Sequence, residues 1–158
     1  MRKETLKHIK TQILASGISN ALLNAFFTWL MNREMAFTPG AAVAVDTLFT
    51  TGFVSCLVTF PTAYFTRKAV KAGLPLVEEE NRFVNSFPRK SVLLWLTVWL
   101  AFLTLFEILL FLVLSTAVLE GIDFLPLVIG KFFIYGLMGG IVGAFVALRQ
   151  LQPEKETN

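Results

Sequence analysis

Four windows of 19 or more residues contain at most one ionisable side chain each, and this leaves the chain few ways to fold. They run over 13–31, 40–66, 91–119 and 124–148. The first, ILASGISNALLNAFFTWLM, has none, while the others hold only Asp46, Glu107 and Lys131 in turn. A run of about 20 such residues crosses the ~30 Å hydrocarbon core of a bilayer as a helix, which satisfies every backbone N–H and C=O internally. The windows occupy most of the 158 residues, so the expected architecture is all-α: one integral-membrane domain, 1–158, folded as a four-helix transmembrane bundle. Composition agrees. The chain is 55% hydrophobic and 16% charged, against roughly 45–50% and 25% for soluble domains. With one cysteine it is no disulfide framework, and Cys56, inside the second window, reads as a packing residue.

Lysine and arginine in short connections mark the cytoplasmic side. The N-terminal tail carries Arg2, Lys3, Lys7 and Lys10, the loop 67–90 carries Arg67, Lys68, Lys71, Arg82, Arg89 and Lys90, and the C-terminal tail carries Arg149 and Lys155. The other two loops offer only Arg33. Both termini are therefore expected in the cytoplasm, with two hairpins oriented in parallel and joined by the cytoplasmic loop 67–90. Lipid headgroups account for the basic balance, and no nucleic-acid partner is expected. A secretory signal peptide would show the same order of basic start, apolar run and a small-residue sequence at Ala42, Val43 and Ala44. The first window exceeds the usual ~7–15 apolar residues of such signals, however, and contains Asn20 and Asn24.

Ionisable groups inside spans cost roughly 2.5–3.5 kcal/mol each near a helix centre and require compensation. Asp46 and Lys131 each stand about six residues inside the outer end of the second helix of their hairpin, and this matched depth suggests an ion pair. The alternatives are a pair that only fixes packing, or two side chains that reach outward to water. Glu107 sits nearer mid-membrane, where a short side chain reaches neither interface, so a proton carrier or cation ligand is the sharper reading of it.

Polar residues recur every fourth position in the first window: Gln12, Ser16, Asn20, Asn24, Thr28 and Asn32. A matching ribbon of Thr47, Thr51, Ser55 and Thr59 follows in the second, with Thr50 one turn from Asp46. These ribbons read either as interhelical hydrogen bonding or as a solute path lined by Asn20, Asn24, Asp46, Thr50, Glu107, Lys131 and Tyr135. In the fourth window Gly136 with Gly140, and Gly139 with Gly143, are small-residue pairs at spacing four that admit another helix, from the same chain or from a second copy. Pro61 frees a backbone carbonyl and predicts a kink, and Trp95 and Trp99 read as interfacial or packing residues. The only histidine, His8, lies in the basic tail, so no serine–histidine couple, zinc set or phosphate loop can be assembled. Two carboxylates, Asp46 and Glu107, are a weak basis for a metal site. Neither enzymatic activity, cofactor nor metal is expected.

The first hairpin, with Asn20, Asn24, Trp29, Arg33, Asp46, Thr50 and Thr59 and the closing run TRKAVKAGLP over 66–75, resembles small four-span bacterial inner-membrane proteins without an assigned function. The resemblance covers roughly the first half of the chain. It implies the bacterial cytoplasmic membrane and a role for Asn24 and Asp46 beyond insertion, and supplies no substrate, cofactor or catalytic residue. Two functional classes follow. One is a small transporter or channel-like unit built on Glu107, Asp46 and Lys131, expected to be dimeric because four helices enclose little space. The other is a non-catalytic accessory or scaffold subunit of a membrane complex, in which charges and glycines fix helix pairing. The partners expected are the lipid bilayer and either a second copy or another membrane protein.

Overall fold

The computed structural model describes residues 1–38, 40–78, 80–100 and 122–153. The described chain is helical almost throughout: α1 (Lys3–Asn32), α2 (Gly40–Lys71), a single turn α3 (Arg82–Asn85), α4 (Ser91–Leu100) and α5 (Phe124–Leu151). The helices outrun the apolar windows. α1 starts ten residues before Ile13, and α2 continues through Pro61 as one helix before ending at a turn where Gly73 takes φ +98°. There the Leu74 N–H donates to Ala69 O (2.9 Å) and the Gly73 N–H to Val70 O (3.0 Å), a glycine C-cap that satisfies the last carbonyls. At the opposite end of the bundle, Phe37–Thr38 and Ile122–Asp123 form a two-residue antiparallel pair that ties the loop after α1 to the start of α5.

Glycine decides how α1 meets α5. A β-carbon on Gly143 would lie 2.5 Å from Ser16 Cβ, one on Gly136 3.1 Å from Ala21 Cβ, and one on Gly139 would overlap Asn20 Cβ and lie 2.7 Å from Ser16 O. Residue numbers rise along α1 as they fall along α5, so the two helices are antiparallel, each backbone filling the space the other leaves. The helix admitted by Gly136, Gly139, Gly140 and Gly143 is thus α1 of the same chain. α1 contributes its own small pair, Gly17 and Ala21, to this seam.

α2 and α4 complete the arrangement. Val58 and Ala63 of α2, Leu94 and Val98 of α4, and Val142 and Val146 of α5 form the buried apolar core, flanked by Phe87 and Phe145. Trp95 Nε1 donates to Ser55 Oγ (3.0 Å) and Gly52 O (3.3 Å), and the Trp99 ring closes over Gly52, so both tryptophans pack α4 on α2.

Sidedness is inverted relative to a helix in water. On α1 the ribbon Ser16, Asn20, Asn24, Thr28 and Asn32 is buried, Asn24 completely, while Leu14 is 65% exposed and Ile18, Leu22 and Phe26 follow it outward. On α5, Lys131, Tyr135 and Gly139 face inward, whereas Phe133, Leu137 (70% exposed) and Ile141 face out. Both α1 and α5 are long and apolar enough to cross a membrane.

The seam generates a graded expectation. Gly139→Ala should lower the thermal unfolding midpoint in detergent by the equivalent of about 1–3 kcal/mol of overpacking. Gly130→Ala, which meets nothing within 4 Å, should leave it unchanged or slightly raised. Equal effects of the two substitutions would remove the close approach as an explanation.

Candidate functional site: a closed polar centre

Polar groups of α1, α2 and α5 converge halfway along the bundle because the glycine seam brings α1 close enough for short side chains to reach main chain. Asn20 Nδ2 donates to Tyr135 O at 2.5 Å, using the second lone pair that a helical carbonyl keeps free. Asn24, one turn further on, donates from Nδ2 to Asn20 O (2.9 Å) and Asn20 Oδ1 (3.1 Å). Across the bundle, the Tyr135 hydroxyl pairs with Thr51 Oγ1 at 3.0 Å and Ser16 Oγ with Thr62 Oγ1 at 3.0 Å. The ribbon of α1, spaced every fourth residue, is therefore a hydrogen-bonded strip that reaches two other helices through Ser16 and Asn20. Asn32 closes its far end by donating to Thr28 O at 3.0 Å.

Lys131 stands one turn from Tyr135 on the same inward face of α5, buried, with Nζ 5.8 Å from the Tyr135 ring centroid. That spacing permits a cation–π attraction worth about 0.5–2 kcal/mol. α2 and α5 run parallel, since Thr51 meets Tyr135 while Thr62 lies level with the Ser16–Gly143 contact. Counting back from the Thr51–Tyr135 contact at 1.5 Å per residue puts the backbones of Asp46 and Lys131 within about 2 Å of the same height. The Asp46 and Thr50 side chains and the whole of Glu107 lie outside the described residues. Of the residues expected to line a path, Asn20, Asn24, Lys131 and Tyr135 come together at this centre. Thr62, which continues the α2 ribbon to Ser16, was missed because its register on α1 is set by packing rather than by spacing.

Among the described residues little space remains here. Asn20, Thr51, Ser55 and Tyr135, with Val58 and Val142, line a cavity of about 20 Å³, the size of one water molecule. Asn24 Oδ1 and Thr59 Oγ1 are buried without a hydrogen-bond partner among the described residues. Among the described residues the centre is chemically a set of amides and hydroxyls beside one ammonium group, that of Lys131. Among the described residues no three of His, Cys, Asp and Glu gather as metal ligands would. Comparison of the chain with protein-family models, curated proteins and solved structures returned no match.

At the basic end of the bundle, before the apolar run that begins at Ile13, His8 Nε2 pairs with Thr66 Oγ1 at 3.1 Å. Burial pushes the His8 imidazole below its ordinary value of 6.5. The folded chain then resists a proton that the unfolded chain accepts, so this site's contribution to stability is complete above about pH 6.5 and declines as pH falls toward the lower folded value. Stability should drop on acidification through that window, and His8→Gln should flatten the drop in pH-dependent thermal melts; an unchanged slope would assign it elsewhere.

At the polar centre, Asn20→Ala should cost about 1–2 kcal/mol in detergent unfolding, because the substitution removes both the bond to Tyr135 O and a partner of Asn24. A double-mutant cycle on Thr51→Val and Tyr135→Phe should return a coupling of about 0.6 kcal/mol. Additive effects would show that the hydroxyl pair contributes nothing.

Proposed function

We propose that the chain is a multi-pass integral protein of a bacterial cytoplasmic membrane, with four spans and both termini inside, and that it serves as a non-catalytic accessory or scaffold subunit of a membrane complex. The observation that carries this reading is the closure of the polar centre. Its amide nitrogens and the hydroxyls of Ser16, Thr51, Thr62 and Tyr135 bind main chain and one another within the same chain, and the described residues leave a space of about 20 Å³, enough for one water rather than for a moving solute. The bilayer part rests on the outward apolar faces of α1 and α5, and the orientation on Lys and Arg clustered in both tails and the loop 67–90. The likeness of the first hairpin to small four-span bacterial inner-membrane proteins supports the compartment.

Transport is the second reading, and one observation favours it. Lys131 is buried on the inward face, level with the backbone of Asp46, and a buried ammonium beside a carboxylate is a common element of ion and proton paths. Glu107 would be the third group of that path.

A proteoliposome flux assay with a pH-sensitive dye and imposed ion gradients separates the two. The accessory reading expects no flux above empty liposomes, with Lys131→Met lowering folded yield several-fold. Flux that vanishes in Glu107→Gln at unchanged folded yield would replace it with the transport reading. For the proposed ion pair, Asp46→Lys combined with Lys131→Asp should restore the folded yield that either single reversal removes. Failure of that rescue would exclude direct pairing.

A further inference from the structure

Gln150 is completely buried, and its bonds arrange the basic end of the bundle. Its Oε1 accepts from Arg67 Nε at 3.0 Å, its Nε2 donates to Arg89 O at 3.2 Å, and its main-chain carbonyl accepts from Arg89 Nη2 at 3.2 Å. Arg67 also donates through Nη2 to Ser91 Oγ. One glutamine thus fixes two guanidinium groups from different parts of the chain beside each other. Arg149 lies close by, and burial, then the like charge of Arg89, lower its guanidinium from the ordinary value. Positive potential is concentrated here.

Two clefts meet at this point. One, of about 380 Å³, is lined by Arg67, Lys71, Arg89 and Lys90 with Val70 and Gln150. The other, of about 780 Å³, shares Arg67 and Lys71, adds Lys68, and is walled by Phe60, Pro61, Tyr64 and Phe65. None of the described residues lining either cleft is acidic. The aromatic wall is open to the outside, with Tyr64 and Phe65 both more than half exposed. Its position along the chain matters as much as its composition. Phe60 to Phe65 form the last turns of the apolar window 40–66, and the cations begin at Arg67, so the cleft changes from apolar to basic where a bilayer changes from acyl chain to headgroup. A free inorganic anion would use only the basic part. The adjoining aromatic wall fits an occupant that carries a hydrocarbon chain next to its negative charge.

We propose that this cleft binds an anionic phospholipid of the cytoplasmic leaflet, with the phosphate among Arg67, Lys71, Arg89 and Lys90 and an acyl chain along Phe60, Pro61, Tyr64 and Phe65. Gln150 holds the Arg67 and Arg89 guanidinium groups in place before the lipid arrives, and Arg67, exposed and with its Nη1 outside the bonds to Gln150 and Ser91, keeps N–H donors for the phosphate beside the charge of Arg89. The proposal rests on the membrane reading and on the orientation given above, and adds a defined lipid site to them.

Native mass spectrometry of the full chain in neutral detergent tests it, with phosphatidylglycerol, phosphatidylcholine of the same chain length and inorganic phosphate as probes. Lys71 and Lys90 are exposed, so Lys71→Gln with Lys90→Gln should leave the fold intact. Phosphatidylglycerol binding should weaken on the order of 30-fold in this double variant, from about 1 kcal/mol per basic residue. Lys3→Gln with Lys7→Gln, which removes the same charge from the tail, should change it by less than about threefold. Phosphatidylcholine should bind weakly, and inorganic phosphate at equal concentration should not displace phosphatidylglycerol. Displacement by phosphate would make this a free-anion site, and equal weakening in both double variants would make it diffuse attraction; either overturns the proposal. Alkaline carbonate extraction of native membranes keeps the two levels apart. A chain washed off the membrane overturns the membrane reading and the lipid site with it, whereas a retained chain with unaltered binding in Lys71→Gln/Lys90→Gln overturns the lipid site alone.

Discussion

The close approach of α1 to α5 at Gly139 and Gly143 is the contact on which the other placements depend. Asn20 reaches the Tyr135 carbonyl only because no β-carbon stands between them, and Ser16 reaches Thr62 only because α1 lies deep in the groove of α5. Between helices surrounded by lipid there is no hydrophobic gain from association, so van der Waals contact and interhelical hydrogen bonds must supply it. The α1–α5 seam provides both at once. Once it is set, Tyr135 is turned toward Thr51, and α2 takes its register from that pair. α4 then follows through Trp95 and Trp99, which need Gly52 bare on the facing helix.

This arrangement also explains why the polar ribbon is tolerable. An asparagine side chain buried without partners would cost several kcal/mol, but the amide nitrogens of Asn20 and Asn24 bond to main chain and Asn24 bonds to Asn20 Oδ1, which leaves Asn24 Oδ1 as the one amide atom of the two without a partner among the described residues. The side chains whose burial is most costly are thereby the ones that specify the fold: a shift of α1 by one residue would turn Asn20 away from Tyr135. Charge is treated differently at the two ends. Lys131 is buried toward the end held by the short β pair, while Arg67, Arg89 and Arg149 crowd the other, tied by Gln150 and by the Phe87 carbonyl, which accepts from Arg149 Nε at 2.6 Å.

Much of this was legible in the sequence. Long uncharged windows demand helices, and the fourfold spacing of Ser16, Asn20, Asn24, Thr28 and Asn32 marked the inward face of α1 before any contact was known. The glycine spacing of α5 announced a close neighbour but did not identify it, because small residues specify proximity and not partner. Gly17 and Ala21, the complementary pair on α1, were hidden among the polar residues of the ribbon. The helix ends were not legible, since hydropathy registers the bilayer and not the cap: α1 extends back to Lys3 because Thr5 and Ile9 pack at the basic end, where Thr5 Oγ1 donates to Pro75 O at 2.9 Å. Nor was Gln150, an unremarkable polar residue near the C-terminus whose role arises only when α2, the loop before α4 and α5 meet around it.

The inverted sidedness of α1 is the central claim, and site-directed spin labelling in lipid vesicles tests it most directly. In a Cys56→Ala background, single substitutions Leu14→Cys, Ile18→Cys and Leu22→Cys, labelled and compared with Ser16→Cys and Ala21→Cys, report contact with oxygen dissolved in the acyl region. The account predicts high oxygen accessibility and mobile spectra at 14, 18 and 22, with low accessibility and immobilised spectra at 16 and 21. Uniform accessibility around the helix, or high values at 16 and 21 with low values at 14, 18 and 22, would contradict it and dissolve the seam from which the rest of the fold is built.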